Sequence, residues 1–141
     1  MLLTPYSESC SSLEAGGVPI GAALYDRDGV LYGAGHNRRV QDNDPSMHAE
    51  TAAFRSAGRR RDYPDLVMAT TLSPCWYCAG LIRQFNIGTL IVGDAINFTG
   101  THEWLEELGV EVHVINMEEC VEMMASFIEQ RPDLWLEDIG Q

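Results

Sequence analysis

Lysine is absent from this chain of 141 residues, and all nine of its basic residues are arginines. They are outnumbered by 21 aspartates and glutamates, which gives a formal net charge of −12 at pH 7. Binding to nucleic-acid phosphates relies on clustered positive charge, so this balance disfavours a nucleic-acid partner. The one basic run, Arg59 to Arg61, favours a solvated helix end over an RNA contact, because cations are stabilised near a helix C-terminus.

Long apolar runs are also missing. No run approaches the roughly 20 residues that span a bilayer, and the first ten residues, MLLTPYSESC, lack the basic and apolar regions of a secretory signal. The chain has no internal repeat and no low-complexity linker. Its length suits one domain, and 45% apolar with 21% charged residues is typical of a globular protein with a core. We therefore expect a single domain over residues 1–141, without a membrane partner, in the cytoplasm.

Cysteine is scarce, with four residues in the chain. In a cytoplasmic protein of this size, four cysteines do not indicate a disulfide framework. We expect Cys10 and Cys120 to be small buried apolar side chains. Cys75 and Cys78 differ from them because they form a Cys-x2-Cys pair directly after Pro74.

The apolar periodicity predicts alternating helices and strands. A first helix begins near Thr4, with Tyr6, Cys10 and Leu13 at helical spacing, and ends at Gly16. Strands are predicted at 18–26, 30–37, 66–73, 89–94 and 110–116, and further helices at 47–57, 75–85, 103–109 and 118–130, before a polar and aromatic tail. After the opening hairpin the order alternates between helix and strand, which indicates an α/β fold with a mostly parallel central sheet covered by helices on both faces.

Two of these helix starts carry residues that bind metal ions. Cys75 and Cys78 lie in the first turn of one helix, which places both sulfurs on the same side. A helix N-terminus also favours the thiolate over the thiol. Two thiolates do not complete a tetrahedral zinc site, and His48, at the start of the preceding helix, is the best candidate for a third ligand.

Three protein ligands would leave one position of a tetrahedral zinc open, which is typical of catalytic sites, because structural sites are closed by four. Zinc at such a site lowers the pKa of a bound water toward about 7. Glu50 lies two residues after His48. As a fourth ligand it would close the site, whereas beside the open position it could accept and return protons.

Each of these residues has an ordinary explanation when taken alone. His48 could be a satisfied core or surface histidine, Glu50 an ordinary glutamate in a first helical turn, and the cysteine pair a redox or packing feature. The combination is more specific. His-x-Glu followed by Pro-Cys-x2-Cys, with each motif opening a helix, is the pattern of zinc-dependent deaminases.

The chain resembles the cytidine and deoxycytidylate deaminase superfamily, and within it the fungal-type cytosine deaminases. The resemblance covers nearly the whole chain from Gly16 onward. It is carried by GGVPIG (16–21), GHNRR (35–39), HAE (48–50), TTLSPCWYCAG (70–80), VGDAINF (92–98) and EQRPDLWLEDIG (129–140). The tail is the most discriminating stretch, because the wider superfamily shares the zinc motif but not this ending.

This resemblance implies a three-layer α/β/α sandwich with a central mixed five-stranded sheet, and one zinc ion per chain. The implied zinc ligands are His48, Cys75 and Cys78, and the implied proton shuttle is Glu50. The implied substrate-binding residues are Asn37 and the backbone of Ala49 and Ser73 for the polar edge of the ring, Ile20, Phe98 and Trp135 as its enclosure, and Asp138 as the contact for the exocyclic amine.

The implied reaction is hydrolytic deamination of a small free nucleobase, cytosine to uracil and ammonia. Deamination of another base or heterocycle, such as guanine, isocytosine or a pterin, is the alternative, and a nucleoside or a tRNA adenosine is less compatible with the acidic charge. A zinc-stabilised binding module without turnover is a further alternative, against which the presence of Glu50 argues. The resemblance also implies a homodimer packed through the helices near the active site.

Overall fold

The computed structural model describes all residues from 1 to 141 as five strands and six α-helices, with a short 3-10 turn at Tyr63–Asp65. In chain order the elements are α1 (Leu3–Glu14), β1 (Gly21–Asp26), β2 (Leu31–His36), α2 (Ala49–Ala57), β3 (Leu66–Thr70), α3 (Trp76–Phe85), β4 (Thr89–Val92), α4 (His102–Glu107), β5 (Glu111–Val114), α5 (Glu118–Gln130) and α6 (Pro132–Asp138).

The strands form one sheet in the order β2-β1-β3-β4-β5. β1 is antiparallel to both of its neighbours, whereas β3, β4 and β5 run parallel to one another. The sheet is therefore mixed, as the family resemblance implies. The sheet is less parallel than expected, because β1 runs antiparallel to β3 as well as to its hairpin partner β2.

Helices cover both faces of the sheet, which confirms the α/β sandwich. Alternate residues of β1 and β3, such as Leu24 and Met68, enter the larger core together with Ala53 of α2 and Ile82 of α3. The intervening residues face the other side, where α1 packs against β1. No helix of the chain combines the length and the apolar character needed to cross a membrane.

All five strands are shorter than the sequence predicts, and the differences at β1 and β3 shape the site. β1 begins at Gly21 rather than at residue 18, and β3 ends at Thr70 rather than at residue 73. His48 and Cys75 are the N-cap residues of α2 and α3, with extended backbone. Helices α2 and α3 therefore begin one or two residues later than predicted, because the residues that precede each helix form turns at the edge of the sheet.

The predicted packing face of α1 is wrong. Its buried residues are Pro5, Ser9 and Ser12, whereas Leu13 is 45% exposed. The cause is a close approach of the helix to the sheet: a Cβ on Gly21 would overlap the backbone of Pro5 and Ser9. Only small side chains fit between two backbones at this distance, so the serines pack and the larger side chains point away.

Two smaller expectations also need correction. Cys120 is buried as predicted, but Cys10 is only half-buried. The arginine run follows α2, which ends at Ala57, instead of forming its last turn. Arg60 is held by other contacts, because its guanidinium lies 3.7 Å from the centre of the Tyr32 ring and donates to the carboxylate of Asp62.

The close approach of α1 to the sheet gives a test of the fold. Gly21→Ala should lower the free energy of unfolding by about 1–3 kcal/mol, because the added methyl group overlaps backbone atoms that cannot move independently. Urea denaturation measures this change. Gly80→Ala on α3 is the matched control, since nothing lies within 4 Å of its added Cβ, and it should leave stability unchanged or raise it. Equal stabilities of the two variants would contradict the close packing.

Candidate active site and metal centre

The N-termini of α2 and α3 meet at one edge of the sheet and bring three ligand atoms together. The Nδ1 atom of His48 lies 3.6 Å from the Sγ atoms of both Cys75 and Cys78. All three atoms lie within 4.8 Å of one another. His48 and Cys78 are buried and Cys75 is partly exposed, so the cluster is shielded by protein and accessible from one side.

These separations fit a tetrahedral zinc ion. With zinc–sulfur and zinc–nitrogen bonds of about 2.3 and 2.05 Å, tetrahedral angles place sulfur and nitrogen about 3.6 Å apart. Both sulfur–nitrogen distances in the structure have this value. The donor set of one imidazole and two thiols also suits zinc. The three residues therefore form a candidate zinc site with one position left for a non-protein ligand.

The electrostatics of the cluster favour a thiolate. The hydrogen bond from Cys78, together with His48, outweighs burial and lowers the pKa of Cys75 to about 4. The same interaction raises the pKa of Cys78. Burial lowers the pKa of His48, but the hydrogen bond with Cys75 and the charge of Asp138 outweigh it and raise that pKa to about 9. Cys75 is thus ready to bind a metal cation as a thiolate, whereas His48 must release its proton when a metal binds.

Glu50 is held beside the cluster by α2 and β3. Its side chain is almost completely buried, at 3% exposure. One carboxylate oxygen lies 3.2 Å from the hydroxyl of Thr70, and the other lies 3.2 Å from the Sγ atom of Cys78. Burial and the charge of Cys75 raise the pKa of Glu50, although His48 opposes them. A buried carboxyl group in this position can act as a general acid and base toward a group bound at the cluster.

A small inner cavity of about 20 Å³ lies beside these residues. Its walls include Glu50, His48, Cys75 and all seven residues predicted to bind the substrate: Ile20, Asn37, Ala49, Ser73, Phe98, Trp135 and Asp138. The structure thus brings these residues, which are far apart in the sequence, around one space. Their individual roles stay predictions.

One end of the inner cavity is polar. The Nδ2 atom of Asn37 donates a hydrogen bond of 2.7 Å to the Asp138 carboxylate. Arg39 lies 3.9 Å from the same carboxylate and is itself mostly buried. Burial raises the pKa of Asp138, against the opposing effects of His48 and the Asn37 hydrogen bond. This end therefore presents an oxygen acceptor and an amide, which suits the polar edge of a heterocycle.

An outer cleft of about 720 Å³ adjoins the inner cavity. Five residues border both spaces: His48, Cys75, Phe98, Asp138 and Ile139. Trp76 and Tyr77, the two aromatic residues between the zinc-binding cysteines, line the cleft and are largely exposed. The inner cavity has room for a water molecule or two, so it is smaller than a pyrimidine ring in this conformation.

Four residues of the site were not predicted from the sequence. Thr70 contacts Glu50, Arg39 contacts Asp138, and Leu72 and Ile139 line the inner cavity. Ile139 lies four residues after Trp135, so helical spacing could have identified it. Thr70 and Leu72 look like ordinary residues of a strand, and nothing in their sequence neighbourhood indicates the site.

Comparison with known proteins identifies the family. The model of the cytidine and deoxycytidylate deaminase zinc-binding region matches residues 3–94, about two thirds of the chain. This chain belongs to that family. The matched region includes α2 and α3 and therefore all three candidate ligands, His48, Cys75 and Cys78.

Individual relatives agree with this assignment. The cytosine deaminase of Candida albicans is 40% identical over 132 residues, which cover 92% of this chain and 88% of the relative. The tRNA-specific adenosine deaminase of Buchnera aphidicola is 31% identical over 130 residues, covering 84% of this chain and 85% of the relative. A solved structure from work on A-to-I editing by tRNA:A34 deaminases superposes with a TM-score of 0.71 at 28% identity, covering 85% of this chain and 95% of that one.

Family membership and the geometry confirm three expectations from the sequence. The chain has the cytidine deaminase-like α/β fold, it is a hydrolytic deaminase acting on carbon–nitrogen bonds, and its cofactor is zinc.

The candidate ligand set predicts one zinc per chain. Cys75→Ala should lose most of the zinc together with the activity, because two ligands hold the ion much less tightly than three. Elemental analysis of the purified protein measures the zinc content. Cys10→Ala, which removes a cysteine of α1 outside the site, is the control and should keep one zinc. Full zinc retention in Cys75→Ala would rule out this ligand set.

Proposed function

We propose that this deaminase acts on free cytosine and releases ammonia from C4 to form uracil. The observation that carries the proposal is the inner cavity, because it joins the candidate zinc site and Glu50 to apolar walls and to a polar end at Asn37 and Asp138. A flat, uncharged base needs this combination of apolar walls and a few placed polar groups. The name of the Candida albicans relative, cytosine deaminase, supports the same substrate.

Proton transfer is assigned to Glu50. Held by His48, Cys75 and Cys78, zinc would supply a water activated for attack on the ring. The Glu50 carboxylate takes a proton from this nucleophile and gives it to N3 of the ring. It then carries the second proton to the departing amine, so water and cytosine give uracil and ammonia without another reactant. The buried position of Glu50 keeps these transfers away from bulk solvent.

Ring orientation is assigned to the polar end and the apolar walls. Asn37 would bind the polar edge of the pyrimidine, together with the backbone of Ala49 and Ser73. Asp138 would accept a hydrogen bond from the exocyclic amine. Phe98 and Trp135 meet edge to face, with ring centres 5.5 Å apart, and would cover the ring with Ile20 on the inner side.

Two wider features belong to the same proposal. We place the enzyme in the cytoplasm, because the candidate metal site needs two cysteines as thiolates and all four cysteines are free, a state that a reducing compartment preserves.

We also propose a homodimer packed through the helices near the active site. Trp76 and Tyr77 support it, since they expose aromatic surface beside the metal ligands at the start of α3.

The direct test is ammonia release from a panel of free bases and nucleosides. Cytosine should be deaminated, and cytidine should be at least about tenfold poorer in kcat/KM, because its ribose would collide with the residues that close the inner cavity. Preference for guanine, isocytosine, a pterin or a tRNA adenosine would replace cytosine as the substrate. Turnover of none of them by zinc-loaded protein would favour a binding module, and equal efficiency on cytosine and cytidine would contradict the enclosed site.

The assignment of Glu50 predicts a separation of metal binding from turnover. Glu50→Gln should keep zinc and the folded structure, because the glutamine has the same shape and the three ligands are intact. It should lower kcat by about 10²–10⁴-fold, the usual contribution of a general acid–base group. Steady-state kinetics and elemental analysis on the same preparation check both parts. A loss of activity well below tenfold would refute the role of Glu50 as the proton shuttle.

Asp138 provides a second kinetic test. Asp138→Ala should lower kcat/KM for cytosine by about one to two decades, because a hydrogen bond to a charged group contributes about 1.5–3 kcal/mol. Zinc content should not change, since Asp138 is not a ligand. Asp133→Ala, at the exposed start of α6, is the matched control and should keep wild-type kinetics. Unchanged kcat/KM in Asp138→Ala would remove this residue from the substrate site.

A further inference from the structure

The loop between β4 and α4 forms one wall of the site. Phe98 in this loop borders both the inner cavity and the outer cleft, and it packs against Trp135 of α6. Because Phe98 lies where the inner cavity meets the outer cleft, its position affects how much space a substrate has there. The contacts that hold this loop therefore bear on substrate selection.

Hydrogen bonds attach the loop to the segment that carries Cys75. The Ser73 hydroxyl donates to the Thr99 carbonyl at 2.7 Å. The backbone and the hydroxyl of Thr101 both donate to the Pro74 carbonyl, at 3.0 and 2.9 Å. Gly100 has a φ of +57°, and a Cβ there would lie 2.5 Å from the Pro74 oxygen. The backbones of the two segments are thus so close at Gly100 that a larger residue would overlap the Pro74 carbonyl.

His102, the first residue of α4, lies against these hydrogen bonds. Its Nδ1 atom is 2.7 Å from the Thr99 carbonyl oxygen and 2.9 Å from the Ser73 hydroxyl. A carbonyl oxygen can only accept, so Nδ1 carries a proton and donates.

We propose that His102 is a positioning residue that, through Thr99 and Ser73, fixes Phe98 over the inner cavity and makes the enzyme select a free base over its nucleoside. The inference rests on the proposed function for its substrate. Ser73 is two residues before Cys75, and Thr99 directly follows Phe98. A side chain that ties Ser73 to Thr99 therefore holds the covering ring in a fixed position relative to the candidate metal site.

The kinetic test compares three variants on cytosine and cytidine. His102→Ala should raise KM for cytosine about three- to tenfold, the loss expected for one hydrogen bond, with kcat within about twofold. The preference for cytosine over cytidine in kcat/KM should fall by a similar factor. His102→Asn should restore both values, because its amide nitrogen can replace Nδ1 as the donor. His113→Ala on β5, where the histidine pairs with Glu111 on the exposed surface, should behave as wild type.

The same kinetics can overturn the inference. Wild-type KM and selectivity in His102→Ala would do so. A lower kcat with unchanged KM and selectivity would also do so, because that result indicates fewer active molecules and therefore a merely structural role. Failure of His102→Asn to restore KM would show that the donated hydrogen bond is not what holds the loop.

Hydrogen exchange separates this inference from the proposed function. In zinc-loaded protein without substrate, the amide of Thr101 should exchange about three- to tenfold faster in His102→Ala than in wild type or His113→Ala. Equal exchange in all three proteins would overturn the proposed role of His102, whatever the substrate is. If wild-type enzyme deaminated no base of the panel, the proposed function would fail, and faster exchange in His102→Ala would still support the loop contact.

Discussion

The site depends on the meeting of two helix N-termini at one sheet edge. Because α2 and α3 begin there, His48 and Cys75 occupy N-cap positions and Cys78 lies in the first turn behind them. The separations of 3.6 Å between nitrogen and each sulfur follow from this arrangement. Glu50 follows His48 by two residues and therefore faces the same point from the first turn of α2. The candidate metal site and the proposed proton acceptor thus share one structural origin.

The remaining parts of the site surround this centre at different depths. The apolar walls and the pair formed by Asn37 and Asp138 enclose a space that is closed in this conformation. The outer cleft, with the exposed rings of Trp76 and Tyr77, lies in front of it. Phe98, Asp138 and Ile139 border both spaces, so two of the proposed substrate contacts, Phe98 and Asp138, lie where the cavity meets the cleft. An enclosed site of this kind favours small, flat substrates.

The sequence predicted the centre because its residues follow short local spacings. His-x-Glu and Cys-x2-Cys each lie within one helical turn, so each motif predicts a common direction for its side chains. The types of α1 to α5 and of all five strands were also predictable from periodicity, but the strand termini were not, and α6 lies in the stretch expected only as a polar and aromatic tail. The packing of α1 was predicted wrongly, because apolar spacing suggested Leu13 where close backbone contact selects Ser9 and Ser12.

Contacts between loops that are far apart in the sequence could not be predicted from local sequence patterns. Ser73 meets Thr99 and His102 only because β3 and β4 are neighbours in the sheet, and the residue types give no indication of this triangle. The link between Arg39 and Asp138 joins residues nearly a hundred positions apart in the same way. The family resemblance supplied the expected substrate-binding residues, but it did not supply these supporting contacts.

In the proposed site, three protein residues bind the zinc ion and Glu50 lies outside its coordination shell. X-ray absorption at the zinc edge of wild-type protein and of Glu50→Gln measures this directly. We expect two sulfurs at about 2.3 Å and one imidazole nitrogen at about 2.0–2.1 Å, with the same shell in both proteins. A shell with a different number of sulfurs, or one that loses an oxygen neighbour in Glu50→Gln, would contradict it.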